Sequence, residues 1–208
     1  MSVTLAIVAC GPQLEVALRG PDQKVASLVR LAGVSPRSTL LLAAADLLVE
    51  DAELEPSDIE RVVISRGPGS FTGIRSGLAT AKGLSAATGA AITAFDSLLV
   101  QAARCRGATE VWAAQPGRRG EVYAQLYRGA DDTVPEPLGG IEIVALDQFS
   151  GRGPWIGADA LDLGEGSRAT PSRRAGEALL ALFRWGAEPQ PEEPLYVEGP
   201  PVHKAKGS

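Results

Sequence analysis

The sequence predicts an α/β protein built as two lobes. Two observations carry this: short β-branched strands alternate with helical stretches, and the strand–loop–helix–strand order of residues 61–95 requires a crossover between parallel strands. A third is that a second set of strand and helix signals begins after residue 108. A boundary near residues 98–108 follows, with residues 1–98 as a first lobe and 99–208 as a smaller second lobe and Pro-rich tail.

Val3 to Val8 is a short apolar strand. After a Cys-Gly-Pro turn, Leu14, Val16 and Leu18 alternate with other residues, the period-two pattern of a half-buried hairpin. Val25 to Leu31 is a third extended stretch. Ser35 or Ser38 is placed to cap a helix whose core, Leu40 to Val49, is broken only by Asp46. A helix apolar on nearly every side is expected to be buried on more than one side, between a sheet and another helix or against a second protein.

After a turn at Glu55–Asp58, Arg61 to Ser65 forms a strand, and Ala91 to Phe95 another. Asp96-Ser97 opens a helix to about Arg104. In the second half Val111–Ala114 and Val122–Tyr127 flank a Pro116-Gly117 turn. Ile141–Leu146 and Trp155–Gly157 are further extended pieces, and Arg174 to Trp185 is a helix.

Composition narrows the function. The 208 residues are 45% hydrophobic, with 24 glycines and 15 prolines, and the net charge is −5. An acidic chain is poorly suited to gripping a phosphate backbone alone, since that affinity comes from Lys and Arg, so an RNA link is expected to run through a partner. No stretch is long and apolar enough for a membrane span, and no signal segment opens the chain; a cytoplasmic location is expected. Cys10 and Cys105 fit neither a metal pattern nor a disulfide framework. His203 is the lone histidine and lies in the tail, which argues against a hydrolytic metal site or a nucleophile–base pair. Neither metal nor cofactor is expected. Glu121, Asp159 and Asp162 read as solvated carboxylates, and Lys204 and Lys206 are too few to bind RNA.

The most informative loop is Gly67-Pro68-Gly69-Ser70-Phe71-Thr72-Gly73, leading from strand to helix. Its glycines permit close backbone approach, and a helix start can receive an anion. It is not a Walker sequence: Ile74, not Lys, follows Gly73. A phosphate loop and a tight packing turn are both open at this stage. In the following helix Gly73, Gly77, Ala81 and Ser85 recur every four residues. Small residues let a second helix approach closely, although an interior glycine costs ~1 kcal/mol against alanine. Arg75 and Lys82 are its only charges.

The segment RVVISRGPGSFTGIRSGLATAKGLSAATGAAITAFDSLL at residues 61–99 resembles the central signature of the TsaB (YeaZ) family. RRGEVYAQLY at 118–127 and PLYVEGPPV at 194–202 resemble the family's second segment and C-terminal pattern. The resemblance implies the two-lobed actin-like ATPase (ASKHA) fold, each lobe a mixed sheet with packed helices. It also implies a non-catalytic partner of TsaD in the synthesis of threonylcarbamoyladenosine at position 37 of transfer RNA. TsaE is implied as the ATPase of the complex, tRNA is engaged indirectly, and a homodimer forms when TsaD is absent. The helices at Ser38–Glu50 and Ile74–Thr88 would form the heterodimer, through Leu40, Leu41, Ala44, Leu47, Leu48, Arg75, Ala79, Lys82, Gly83 and Ala86.

The chain departs from the family at three places. Val8-Ala9-Cys10 stands where an Asp-Thr-Ser type turn is usual, Arg37-Ser38-Thr39 replaces His-Ser-Glu, and Gln115-Pro116-Gly117 replaces Asp-Ala. Without the first-turn carboxylate, independent ATP hydrolysis is not expected. A small-molecule kinase or ATPase of the same fold is the competing reading.

Overall fold

The computed structural model describes residues 2–11, 14–22, 25–31, 40–107, 110–129, 131–149, 152–157, 161 and 168–198. The expected cap at Ser35–Ser38, the departure at Arg37–Thr39, residues Asp159, Asp162, His203, Lys204 and Lys206, and positions 199–202 of the closing motif lie outside the described residues.

Five strands form the first sheet in the order β3-β2-β1-β4-β5. They are β1 (Val3–Val8), β2 (Leu14–Arg19), β3 (Val25–Leu31), β4 (Ile59–Ser65) and β5 (Ala91–Phe95). β1, β2 and β3 pair antiparallel, while β4 runs parallel to both β1 and β5, as the crossover order requires. Opposite the large apolar row of β1 and β2 stand Ala6, Val8 and Ala17 together with Thr4, Glu15 and Arg19, all of them buried, so the hairpin is covered on both faces, not half-buried as the alternation suggested.

One face carries Leu5, Ile7, Val16, Leu18, Val62 and Ile64 and packs against α1 (Leu40–Asp51) and α2 (Phe71–Thr88). The opposite face carries Ala6, Val8, Ala17 and Val63 and packs against α5 (Ala175–Arg184), a helix from the far end of the chain. The small side chains there bring α5 close: a Cβ on Gly176 would lie 2.9 Å from Ala17 Cβ. Charges on β2 match the helix above them. Glu15 accepts the Gly176 N–H at 2.8 Å at the start of α5, where the helix dipole favours an anion.

The second sheet runs β10-β6-β7-β8, with β9 also paired to β7. Its strands are β6 (Val111–Pro116), β7 (Glu121–Arg128), β8 (Glu136–Pro137), β9 (Glu142–Ala145) and β10 (Trp155–Gly157). One face packs on α3 (Ser97–Ala102) through Val111, Ala113, Tyr127 and Ile156. The other encloses Val122, Val144, Trp155 and Phe149 of the one-turn helix α4 (Leu146–Phe149). The two sheets with their packed helices are the expected α/β architecture.

Residues 190–198 run back across both lobes as a strap. Gln190 N–H donates to Ala94 O and Leu195 N–H to Arg66 O, each at 2.9 Å. Further on, the Tyr123 hydroxyl donates to Glu198 at 3.2 Å, and Glu198 pairs with Arg118 at 2.9 Å.

Candidate partner-binding surface and glycine loop

The loop between β4 and α2 is held by its own backbone. Ser70 N–H donates to Cys10 O at 2.7 Å, Ser97 N–H to Gly67 O at 2.6 Å, and the Ser70 hydroxyl caps α2 by accepting Gly73 N–H at 3.2 Å. The Gly67–Pro68 peptide is cis, and Gly67 and Gly69 have φ of 120° and 145°. Glycine is required at three points. A Cβ on Gly69 or Gly73 would overlap the carbonyl oxygens of Cys10 and Ala9, and one on Gly67 would come within 2.5 Å of Leu195 O. With the Ser70 and Gly73 N–H groups already bonded within the chain, the geometry favours the tight packing turn over a phosphate cradle.

The turn after β1 is sealed beneath this loop. Ala9 and Cys10 have no exposed surface, and Cys10 Sγ lies 3.2 Å from both the carbonyl and the hydroxyl of Ser65. Burial pushes the Cys10 thiol up, with the hydrogen bond to Ser65 opposing it. The described residues hold no group of three or more His, Cys, Asp or Glu side chains placed to share a metal ion.

Of the residues named from sequence for the partner surface, the structure brings most together and withdraws three. Leu40 and Leu47 are 46% and 56% exposed, and Arg75, Ala79, Lys82, Gly83 and Ala86 all lie on the outer side of α2. Leu41, Ala44 and Leu48, by contrast, sit in the core of the first lobe and cannot meet a partner. They share the inner stripe of α1 with Ala45 and Val49, at the i, i+3, i+4, i+7, i+8 spacing of one helix face. Leu42, 57% exposed, and Ala43 were missed; the signal was that stripe, but Leu and Ala occupy both sides of the wheel and hide it.

So α1 is buried on one side only within this chain. Its outer side carries Ala43, Asp46 and Glu50 along the middle, with Leu40 and Leu47 on one edge and Leu42 on the other, while Arg75 and Lys82 border the small residues of α2. The surface therefore combines exposed leucines with acidic side chains on α1 and basic ones on α2. At the start of α2, Phe71 and Tyr196 of the strap stack with centroids 5.2 Å apart, and the Arg75 guanidinium lies 5.3 Å from the Phe71 ring centre. Tyr196 had no signal in the sequence, because nothing local places the strap beside α2.

The Gly73-Gly77-Ala81 row is turned inward. A Cβ on Gly77 would lie 2.9 Å from Ala9 Cβ and 3.4 Å from Ile64 Cδ1, and Ala81 is fully buried. In the second lobe Glu121 is half-buried rather than solvated, and its Oε2 and the Oε1 of buried Gln115 have no hydrogen-bond partner. Asp96 does not cap α3 with its side chain; it accepts from Arg66 Nε at 2.6 Å and so ties the glycine loop to β5.

Two mixed sheets with packed helices, joined through α3 and the strap, define a two-lobed α/β protein of the actin-like (ASKHA) fold. The sequence model of a family described as "TsaD: tRNA N6-adenosine threonylcarbamoyltransferase" matches residues 31–153. The tRNA threonylcarbamoyladenosine biosynthesis protein TsaB of Bacillus subtilis is 32% identical over 125 residues, 60% of this chain and 54% of that protein. TsaB of Escherichia coli is 34% identical over 142 residues, 60% of this chain and 58% of that protein. The match thus spans little more than half the length of either relative. A solved structure of YeaZ from Pseudomonas aeruginosa superimposes with a TM-score of 0.73 at 25% identity, covering 95% of this chain and all of that one. The chain belongs to the TsaB/YeaZ family. Among the described residues no helix is long and apolar enough to cross a membrane.

Proposed function

We propose that this chain is a non-catalytic subunit in the synthesis of threonylcarbamoyladenosine on transfer RNA, and that it pairs with a TsaD-type subunit through the outer sides of α1 and α2. The observation that carries the proposal is the exposure of Leu40 and Leu47, which share one edge of α1, and of Leu42, together with the exposed small residues Ala79, Gly83 and Ala86 of α2. Several large apolar side chains exposed on one helix mark an interaction site. A surface of small residues allows two helices of a partner to approach closely. The family supports the identity of the partner, and the buried Ala9-Cys10 turn supports a subunit that performs no turnover of its own. In this reading TsaE and the tRNA are reached through the partner, and a second copy of the chain covers the same face when the partner is absent.

The test is a calorimetric titration of the full chain with TsaD. Ala79→Arg and Gly83→Arg each place an uncompensated charge in the interface and are expected to weaken binding by about 3 kcal/mol, roughly 100-fold, with unchanged folding. Unaltered affinity in both variants rejects this surface. Ser70→Ala loses the α2 cap but is expected to support tRNA modification in a depletion–rescue assay; a lost chemical step with TsaD still bound would show that the loop is catalytic. Magnesium-dependent ATP turnover by the isolated chain would favour the kinase-like alternative.

A further inference from the structure

The two lobes are joined at two places that differ in strength. At the first, α3 lies on the second sheet and against α5, the helix that covers the first sheet. The start of α3 is tied to the glycine loop by the Ser97 N–H to Gly67 O bond. Arg104, just past its end, donates to Gly157 O at 3.0 Å and to Arg173 O at 3.3 Å. Leu98, Val100 and Ala102 of this helix are buried. This joint is firm.

The second joint is the end of the strap, and four consecutive residues make it. Leu195 and Tyr196 attach to the first lobe: the Leu195 N–H donates to Arg66 O, and the Tyr196 ring stacks on Phe71 at the start of α2. Val197 and Glu198 attach to the second. Val197 packs on the cluster that holds Tyr123, Tyr127 and Ile156, and Glu198 accepts from the Tyr123 hydroxyl and from Arg118 in the β6–β7 hairpin. From Leu195 to Glu198 the chain spans at most about 10 Å when extended. So short a tie has little slack, and a displacement at one end is felt at the other.

Each contact in this tie is weakly held. Phe71 and Tyr196 are both exposed, Val197 is only partly buried, and the Arg118–Glu198 pair is open to solvent, where an ion pair contributes little. Closure also has a cost. Gln115 is paired with Tyr123 across β6 and β7, and Glu121 lies two residues before Tyr123, so all three project from one face of the sheet. Gln115 Oε1 and Glu121 Oε2 are shut off from water without a hydrogen-bond partner, and such acceptors favour a movement that wets them. Segments with few buried contacts are where a structure opens first.

We propose that residues 195–198 are a releasable latch between the lobes, governed from the outer side of α2 through the Phe71–Tyr196 stack. With the latch closed, α3 and the strap hold the second lobe at two points and its angle is fixed. With the latch open, α3 remains as the pivot. The stack adjoins Arg75 of the candidate partner surface, whose guanidinium lies 5.3 Å from the Phe71 ring centre. A subunit seated on α2 therefore covers the stack and holds the latch shut. That control rests on the pairing proposed above; the latch itself does not.

The experiment is hydrogen exchange of the full chain, read by mass spectrometry on the β6–β7 hairpin, with β1 and β4 as internal controls. Tyr196→Ala and Glu198→Gln are each expected to speed exchange in the hairpin about fivefold and to leave β1 and β4 as in the parent. Because Tyr196 stacks on the first lobe, a faster hairpin in Tyr196→Ala reports transmission along the strap. Added TsaD is expected to slow the hairpin in the parent and to have little effect on it in Tyr196→Ala. The latch is overturned if the hairpin of both variants exchanges as in the parent. It also falls if β1 and β4 speed up equally, which would make the strap a general brace of the fold. Control from α2 is overturned if TsaD binds and leaves the parent hairpin unchanged. Failure of TsaD to bind at all ends the pairing and the control by that partner, while the free-chain comparison still decides the latch.

Discussion

Gly77 and Gly83 stand six residues apart on α2 and look interchangeable in the sequence, yet their surroundings are opposite. Gly77 faces β1 and β4, where an added methyl would be pressed against Ala9 and Ile64; around Gly83 nothing of this chain lies within 4 Å of such a methyl. The first glycine is fixed by the fold. The second is conformationally costly in the free chain and has no internal reason to be there, since alanine would make a better helix. One helix therefore shows both uses of small residues: Gly73, Gly77 and Ala81 set its distance from its own sheet, and Ala79, Gly83 and Ala86 set how near a neighbour can come.

Substitutions test this division from the inside outward. Gly73→Ala drives a methyl into the Ala9 carbonyl and is expected to destabilise the chain by about 3 kcal/mol or more in urea unfolding. An ordinary transition midpoint would mean that α2 can lift from the β1 turn. For Gly77→Ala the neighbours are side chains that can shift, and the gain in helix propensity offsets part of the crowding, leaving a net loss of about 1 kcal/mol. Gly83→Ala reverses the sign: the free chain gains up to about 1 kcal/mol, while affinity for TsaD falls. Affinity unchanged alongside the gain would remove the reason offered for that glycine.

The smallest effect is a pH dependence. The Cys10 thiol is held above its ordinary value of 9.0 by burial, so the folded state keeps a proton that the unfolded chain releases. The contribution is complete below that value and is lost as pH rises through the folded pKa, and burial moves Cys105 in the same direction. Stability measured by denaturant titration is expected to be flat near neutrality and to decline above about pH 9. Ready alkylation of Cys10 in the native state would show that the β1 turn is not sealed.

Most of the fold could be read in the sequence because strand periodicity and the β4–α2–β5 crossover are local signals. The inner and outer sides of α1 could not be separated, since leucine and alanine fill both, and three residues were therefore assigned to the wrong side. The direction of the small-residue row on α2 was equally hidden, because smallness suits close packing to a sheet and to a partner alike. β8, with two residues, carries no periodicity at all. Arg19, the last residue of β2, is buried although nothing local in the sequence signals it.

The position of α5 bears on how the chain is made. Strands β1 and β4 emerge early in synthesis, but the helix that covers their second face is encoded at residues 175–184. Until that segment leaves the ribosome, Val8, Val63 and the alanine floor around them face solvent, and nascent first lobes have a bare apolar side. Chains interrupted before residue 175 should therefore be ready clients for chaperones and proteases, even though every strand of the first sheet is already present.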